Sequence, residues 1–101
     1  MPAYVIANVE VQDADGYEEY KRLVPATIAE YGGRYLARGG AATRLEGDWE
    51  PHRLVILEFP TLEQAQAWHA SPSYTAAREL RLRTAASSLL LVDGIDSGAA
   101  G

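Results

Sequence analysis

His69 and Asn8 occupy positions from which they could handle or orient a reacting group. His69 follows Trp68 in a stretch with helical periodicity, and an imidazole titrates near neutral pH, as a general base must. Asn8 is a polar residue inside an apolar strand, where its amide has to find hydrogen-bond partners. We assign both to catalysis, His69 as the base that deprotonates a phenol or carbonyl compound. The alternative for His69 is a helix-surface residue without chemistry.

Two arginines and two aromatic residues are candidates for holding a substrate. Arg38 precedes two glycines, so its guanidinium and backbone N–H groups freed by a bulge could bind a carboxylate or enolate. Tyr74 and Arg81 are seven residues apart, which places a hydroxyl donor and a cation on one helical face. Trp68 would form a wall of the same pocket. Each has a structural alternative: an ion pair with a nearby glutamate for Arg38, and packing of helix on sheet for the others.

Composition narrows the chemistry further. The absence of cysteine excludes disulfides, thiolate metal sites and cysteine nucleophiles. Two histidines with no recognised ligand spacing predict no metal site, and the absence of G-x-G-x-x-G and P-loop motifs predicts no nucleotide cofactor. A net charge of -5 with scattered basic residues argues against a nucleic-acid partner. We therefore expect no cofactor.

The length of 101 residues fits one domain. We predict a single domain over residues 1–96 and a flexible tail over 97–101, where small residues have nothing to bury. No run of apolar residues is long enough for a membrane span, and a glutamate at position 10 interrupts the first apolar run before a signal-peptide core could form. These features predict a cytoplasmic protein with no membrane association.

The elements that must position these residues follow the order β-α-β-β-α-β. Strands are predicted at 3–11, at 34–37 with 43–46 as one interrupted strand, at 53–59 and at 88–92. One helix is predicted over 14–31, with Pro25 removing a backbone donor inside it. Thr61 and Ser71 cap two further helical stretches that end near residue 85. The glycines after Arg38 indicate a bulge or a close backbone approach.

This order is that of the ferredoxin-like fold, an α+β class in which helices cover one face of a four-stranded antiparallel sheet. Such a sheet should alternate apolar and polar residues, but the runs at 54–57 and 89–92 are apolar throughout. The second face would then expose apolar area on the order of several hundred Å², which soluble monomers seldom tolerate. We predict a homodimer through this open sheet face. The alternative is another topology that buries these strands on both sides.

Several segments together resemble a known family. They are Gly-Gly-Arg-Tyr-Leu-Ala-Arg-Gly-Gly at 32–40, Leu-Glu-Gly-Asp-Trp at 45–49, the strand at 55–59, and Ala-Trp-His-Ala-Ser-Pro-Ser-Tyr at 67–74. Over about residues 3–94 the chain resembles the family of unknown function numbered 1330. The resemblance implies a dimeric α+β barrel and no common reaction. The family usually carries an aromatic residue in place of His69 and a glutamate in place of Ser73, so a role for either would be particular to this chain.

A more distant likeness is to other dimeric α+β barrels: cofactor-free monooxygenases, haem-degrading enzymes and lactone isomerases. These place substrates between the sheet and its helices, which here would be beneath Trp68, His69 and Tyr74. Two functions stay open. One is a cofactor-independent enzyme of monooxygenase, isomerase or cyclase type that acts on an aromatic, polyketide-like or lactone substrate. The other is a non-catalytic binding or stress-associated dimer, since fold does not fix function.

Overall fold

A four-stranded antiparallel sheet carries three helices on one face in the computed structural model, which describes residues 1–95. The strands are β1 (Ala3–Val11), β2 (Arg34–Arg38), β3 (Arg53–Phe59) and β4 (Ala85–Asp93), and the helices are α1 (Ala14–Glu30), α2 (Leu62–Ala70) and α3 (Pro72–Thr84). The strand order β2-β3-β1-β4 confirms the predicted ferredoxin-like α+β fold. The predicted tail at 97–101 and the domain boundary before it lie outside the described residues. None of the helices within residues 1–95 is long and apolar enough to cross a membrane.

The two faces of the sheet differ in what covers them. Alternate residues of β1 are buried beneath the helices, whereas those between them are only partly buried. On the uncovered side Ile6 lies opposite Ile56 on one neighbouring strand and Leu90 on the other. Leu90 is 69% exposed and Val92 47% exposed. We call this surface the open face, and its apolar residues are Tyr4, Ile6, Leu54, Ile56, Leu90 and Val92.

Helix α1 is defined by its caps and its apolar stripe. The Asp13 side chain accepts a hydrogen bond from the Gly16 backbone N–H, which satisfies one of the free donors of the first turn. At the other end Gly32 adopts a left-handed φ of 78°, and the Gly32 and Gly33 N–H groups donate to the Ala29 and Ile28 carbonyls. This is a Schellman motif, so the predicted glycine stop is confirmed.

The second strand is shorter than predicted. Residues 43–46 form no strand, because Gly39 turns the chain away from the sheet with a φ of 71° after its N–H donates to the Leu54 carbonyl. The side chain of Leu45 is consequently 91% exposed. The bulge also lies earlier than predicted, between Tyr35 and Ala37. A single strand interrupted by a glycine pair was therefore the wrong interpretation of this segment.

Helices α2 and α3 follow the predicted capping pattern. The Thr61 and Ser71 hydroxyls accept hydrogen bonds from backbone N–H groups three residues ahead, and proline opens α3. The last strand starts at Ala85, three residues earlier than predicted. Its pairing with β1 extends as far as Val11 opposite Ala85, so small and polar residues join a ladder that the apolar run alone did not mark.

A buried hydrogen bond ties α2 to α1. The Trp68 indole N–H donates to Thr27 Oγ1 at 3.0 Å, and the Thr27 hydroxyl donates to the Val24 carbonyl at 2.7 Å. The Trp68 ring lies 4.1 Å from that of Tyr74 and 5.3 Å from that of Phe59, measured between ring centroids. Trp68 is 1% exposed. Because no water reaches the indole nitrogen, Thr27 is what allows this polar group to be buried.

Replacing Thr27 by Val should therefore cost about 1–3 kcal/mol of unfolding free energy, since the shape is kept but a buried N–H loses its acceptor. Thr27→Ser keeps the hydroxyl and is the matched control, with a smaller expected loss. Urea denaturation of both variants measures the difference. Equal stability of the two variants would show that the hydrogen bond contributes nothing.

Candidate functional site

A cavity of about 40 Å³ lies between the helices and the covered face of the sheet. Counting the space open to solvent at its mouth, the void measures about 460 Å³. Its apolar wall consists of Val5, Ala7, Val9, Val55, Leu57 and Leu89 from the sheet, with Val24, Ile28 and Trp68 from the helices. The enclosed part holds little more than a water molecule, so its walls pack closely in this structure.

The remaining lining residues of the cavity are cations and tyrosines. Four are cationic, namely Lys21, Arg38, Arg53 and Arg81, and four are tyrosines, namely Tyr17, Tyr20, Tyr35 and Tyr74. Within the described part of the chain no Asp or Glu lines the cavity. Nor do residues 1–95 contain a group of three or more His, Asp or Glu side chains that could hold a metal ion. Because Lys21 forms an ion pair with Glu18 at 2.9 Å, the positive character of the site comes from the three arginines.

Arg81 and Tyr74 meet inside the cavity, as their spacing predicts. Arg81 is 6% exposed, and its Nε donates to Tyr74 Oη at 3.3 Å while its Nη1 donates to Ser87 Oγ. Tyr74 Oη in turn lies 3.2 Å from Tyr20 Oη. Tyr20 was not predicted as a site residue, because its sequence signal is only that of the buried stripe of α1.

Two phenols of the cavity, those of Tyr20 and Tyr35, have raised pKa values. Burial raises the pKa of Tyr20 far above its usual value, and the neighbouring Tyr74 hydroxyl raises it further. Burial likewise raises the pKa of Tyr35, although the positive charge of Arg38 opposes that shift. Both hydroxyls therefore act as hydrogen-bond donors or acceptors rather than as phenolates.

Arg38 lies at the mouth of the cavity and is held there by α1. Its Nη2 donates to the Lys21 backbone carbonyl at 2.8 Å, and its guanidinium carbon lies 4.6 Å from the centroid of the Tyr35 ring. In a regular helix that carbonyl would accept from the N–H of residue 25, but Pro25 has none. The proline therefore frees the acceptor that positions Arg38. The glutamate pair considered for Arg38 does not form with Glu58, which accepts from Arg34 at 2.8 Å instead.

Arg53 is a further cation of the site that sequence reasoning did not assign. Its guanidinium carbon lies 5.9 Å from the centroid of the Tyr17 ring, and its Nε is buried without a hydrogen-bond partner in residues 1–95. A Cβ on Gly39 would collide with this guanidinium. The close backbone approach predicted at the glycine pair is therefore made by Gly39 against Arg53.

The two residues assigned to catalysis lie outside the cavity. His69 is exposed on α2 and lines a neighbouring groove with Gln66 and Leu90, and this groove shares Val5, Trp68 and Leu89 with the cavity. Partial burial and the positive charges of Arg78 and Arg81 lower its pKa, which keeps the imidazole neutral to lower pH. Asn8 belongs to the opposite side of the sheet, where its Oδ1 accepts from the His52 backbone N–H at 2.9 Å. Of the six predicted site residues, the cavity brings together Arg38, Trp68, Tyr74 and Arg81.

Comparison with known proteins identifies the relatives of this chain. The model of the family described as Domain of unknown function (DUF1330) matches residues 2–95. No curated protein matches this chain.

Among solved structures, a protein of unknown function from Rhodopseudomonas palustris is similar at 20% identity and a TM-score of 0.74, over 94% of this chain and 83% of that one. A dimeric ferredoxin-like protein of unknown function from Jannaschia sp. CCS1 is similar at 14% identity and a TM-score of 0.70, over 93% and 100% of the two chains. SnoaB, a cofactor-independent oxygenase from Streptomyces nogalater, is similar at 10% identity and a TM-score of 0.65, over 96% of each chain. At these identities the likeness shows the fold alone.

The coupling between Pro25 and Arg38 can be measured with a double-mutant cycle. Pro25→Ala restores an N–H that can donate to the Lys21 carbonyl, and should stabilise the chain because proline inside a helix costs up to about 3 kcal/mol relative to alanine. Arg38→Met should cost about 1 kcal/mol in the natural chain and close to nothing in the Pro25→Ala background. Additive effects in urea denaturation would refute the coupling.

Proposed function

The chain belongs to the DUF1330 family, and from that premise we propose that it is a homodimeric protein that binds a small organic molecule with an aromatic or similar apolar body between sheet and helices. The observation that carries the proposal is the convergence of polar side chains from α1, β2, β3 and α3 on one apolar-walled cavity. A concave apolar site with a few oriented polar groups is the usual form of a small-molecule site.

Entry of a ligand requires the mouth of the cavity to widen. The enclosed volume of about 40 Å³ is far below the roughly 300 Å³ of a typical ligand site. Among the lining residues Arg38 is exposed and Lys21 and Arg53 are partly exposed, and all three have long side chains that change rotamer readily. The floor at Trp68 and Tyr74 is fully packed. We therefore expect the ligand to displace the side chains at the mouth while the floor stays in place.

The cavity supports binding of a small molecule more directly than it supports a reaction. A reaction of the oxygenase, isomerase or cyclase type needs a group that takes a proton from the bound molecule. His69 and Asn8 lie outside the cavity, so their catalytic roles stay predictions from the sequence. Inside it, the polar side chains within residues 1–95 that could touch a ligand are four tyrosines, three arginines and Lys21, with no carboxylate or imidazole among them to act as a base.

We further propose that the chain dimerises through the open face. This face exposes aliphatic side chains from adjacent strands in register, which a monomer would leave in water. The Jannaschia protein that shares this fold is described as dimeric. At about 25 cal/mol per Å², burial of several hundred Å² of apolar surface would contribute on the order of 10 kcal/mol before the costs of association. A second copy of the same face is therefore the cover we propose.

Leu90→Glu should convert the dimer into a monomer, because it places a charge within the proposed apolar interface. Leu82→Glu is the matched control, since Leu82 is likewise an exposed leucine but lies on helix α3 rather than on the open face. Analytical ultracentrifugation at micromolar concentration measures the masses. A natural chain that sediments as a monomer, or a Leu90→Glu variant that stays dimeric, would contradict the proposed interface.

Binding in the cavity can be followed through Trp68. Trp49→Phe removes the other tryptophan, which is 61% exposed, and leaves Trp68 in the cavity wall as the sole indole. Titration with a panel of one-ring and two-ring aromatic compounds, neutral and charged, should change its emission for at least one compound.

Ala7→Leu, made in the Trp49→Phe background, adds bulk to the cavity wall and should abolish the change. Ala76→Leu on the exposed side of α3 is the matched control and should leave it intact. Circular dichroism checks that each variant is folded. A panel in which no compound alters Trp68 emission would reject the binding function.

A further inference from the structure

Arg81 is a buried cation with only neutral partners. Tyr74 Oη and Ser87 Oγ accept from its Nε and Nη1, and within residues 1–95 no carboxylate lies within ion-pair distance. Two of the five N–H groups of the guanidinium are thus used by these neighbours. Removing a charge from water without a counter-charge is costly, so buried arginines normally pair with an acid.

The cations lie towards one end of the cavity. Arg53 stands opposite Val9 on β1, and Ser87, which binds Arg81, stands opposite Val9 on the other side. Arg38 is opposite Val55, which lies two residues along β3 from Arg53. Val5 and Leu57 face each other two residues beyond Val55, towards Phe59, around which Ile28 and Trp68 pack. The cavity therefore has a cationic end and an apolar end.

A purely structural role accounts for only part of this arrangement. Arg81 does join α3 to β4 through Tyr74 and Ser87, but a neutral donor could make those two hydrogen bonds. A structural role would also not explain why three guanidinium groups line one small cavity, or why Arg53 Nε has no partner within residues 1–95. Like charges close together repel one another, and an anion between them would relieve that repulsion.

We propose that the molecule bound in this cavity is an amphipathic anion, with a carboxylate or enolate oxygen on Arg81 and its apolar body against Trp68. The inference rests on the proposed binding function and names the class of ligand for it. The Tyr74 hydroxyl lies beside the anion and can add a neutral hydrogen bond. Arg38 at the mouth attracts the anion as it enters, whereas the Lys21 ammonium group is already paired with Glu18 at 2.9 Å. A planar carboxylate suits the forked donor geometry of arginine.

Paired probes of equal size test this inference. We would titrate 2-naphthoate and its neutral amide, 2-naphthamide, into the full chain carrying Trp49→Phe, and follow Trp68 emission and two-dimensional NMR shifts of cavity residues. Charge-assisted hydrogen bonds predict that naphthoate binds at least about tenfold more tightly. Arg81→Gln should remove most of that preference. Arg83→Gln, an equal charge change on the exposed side of α3, should preserve it.

Each outcome separates the ligand class from the binding function. Equal affinity for acid and amide would overturn the anion inference and leave the binding function standing. If neither probe shifts the cavity residues, the binding function and the anion inference are both overturned, because no aromatic molecule of this size then enters the cavity. If Arg81→Gln does not fold, Arg38→Gln replaces it, since Arg38 is exposed at the mouth. This substitution should lower the preference for naphthoate about threefold or more. Full retention of the preference in Arg38→Gln would count against the inference.

Discussion

Three helices cover only one face of a sheet that is apolar on both, and the rest of the structure follows from this imbalance. On the covered face buried polar groups depend on partners among the side chains that reach between helix and sheet, and Arg53 Nε is an exception without one in residues 1–95. Trp68 is satisfied by Thr27, and the Tyr20 hydroxyl by that of Tyr74. On the open face Ile6, Ile56 and Leu90 form a row that only a further layer can cover. One face thus bounds a small cavity, and the other is the surface through which we propose that the chain dimerises.

The cavity is formed where regular structure is interrupted. Pro25 removes a helical donor and Gly39 ends a strand in the left-handed region, and each change serves an arginine. The first leaves a carbonyl for Arg38, and the second leaves space for Arg53. Such local departures from ideal geometry are commonly found at functional sites. Here they set the positions of two long side chains that would otherwise be free to extend into solvent.

Much of the fold was predictable because it depends on local signals. The apolar run of β1, the hydroxyl caps of α2 and α3, and the glycines after α1 each mark an element without reference to the rest of the chain. Strand β2 was mispredicted beyond Arg38 because a left-handed glycine and a bulge have similar sequence signals. The pairing of Ala85 with Val11 could not be predicted either, since it depends on register across the sheet.

The candidate site was predictable only in part. Tyr74 and Arg81 share a helix, so their spacing placed them together, and Arg38 was marked by its glycines. Tyr20 and Arg53 come from other elements, and a tyrosine on a buried stripe is not distinguishable from a core residue by sequence. His69 was assigned on its chemistry alone, but it lies on the exposed side of α2. Residue type identifies a possible reaction, whereas the side of a helix that a residue occupies depends on packing.

Strand β4 exposes the chain to a risk of aggregation before folding is complete. It is the outermost strand on its side, so its free backbone edge runs beside Leu89, Leu90, Leu91 and Val92. Such an edge can template pairing with other unfolded chains and lead to aggregation. Two serines precede the apolar run and Asp93 follows it, in the positions where polar gatekeeper residues restrain such growth. The strand with the most exposed apolar residues of the open face thus also has a free edge that needs protection during synthesis.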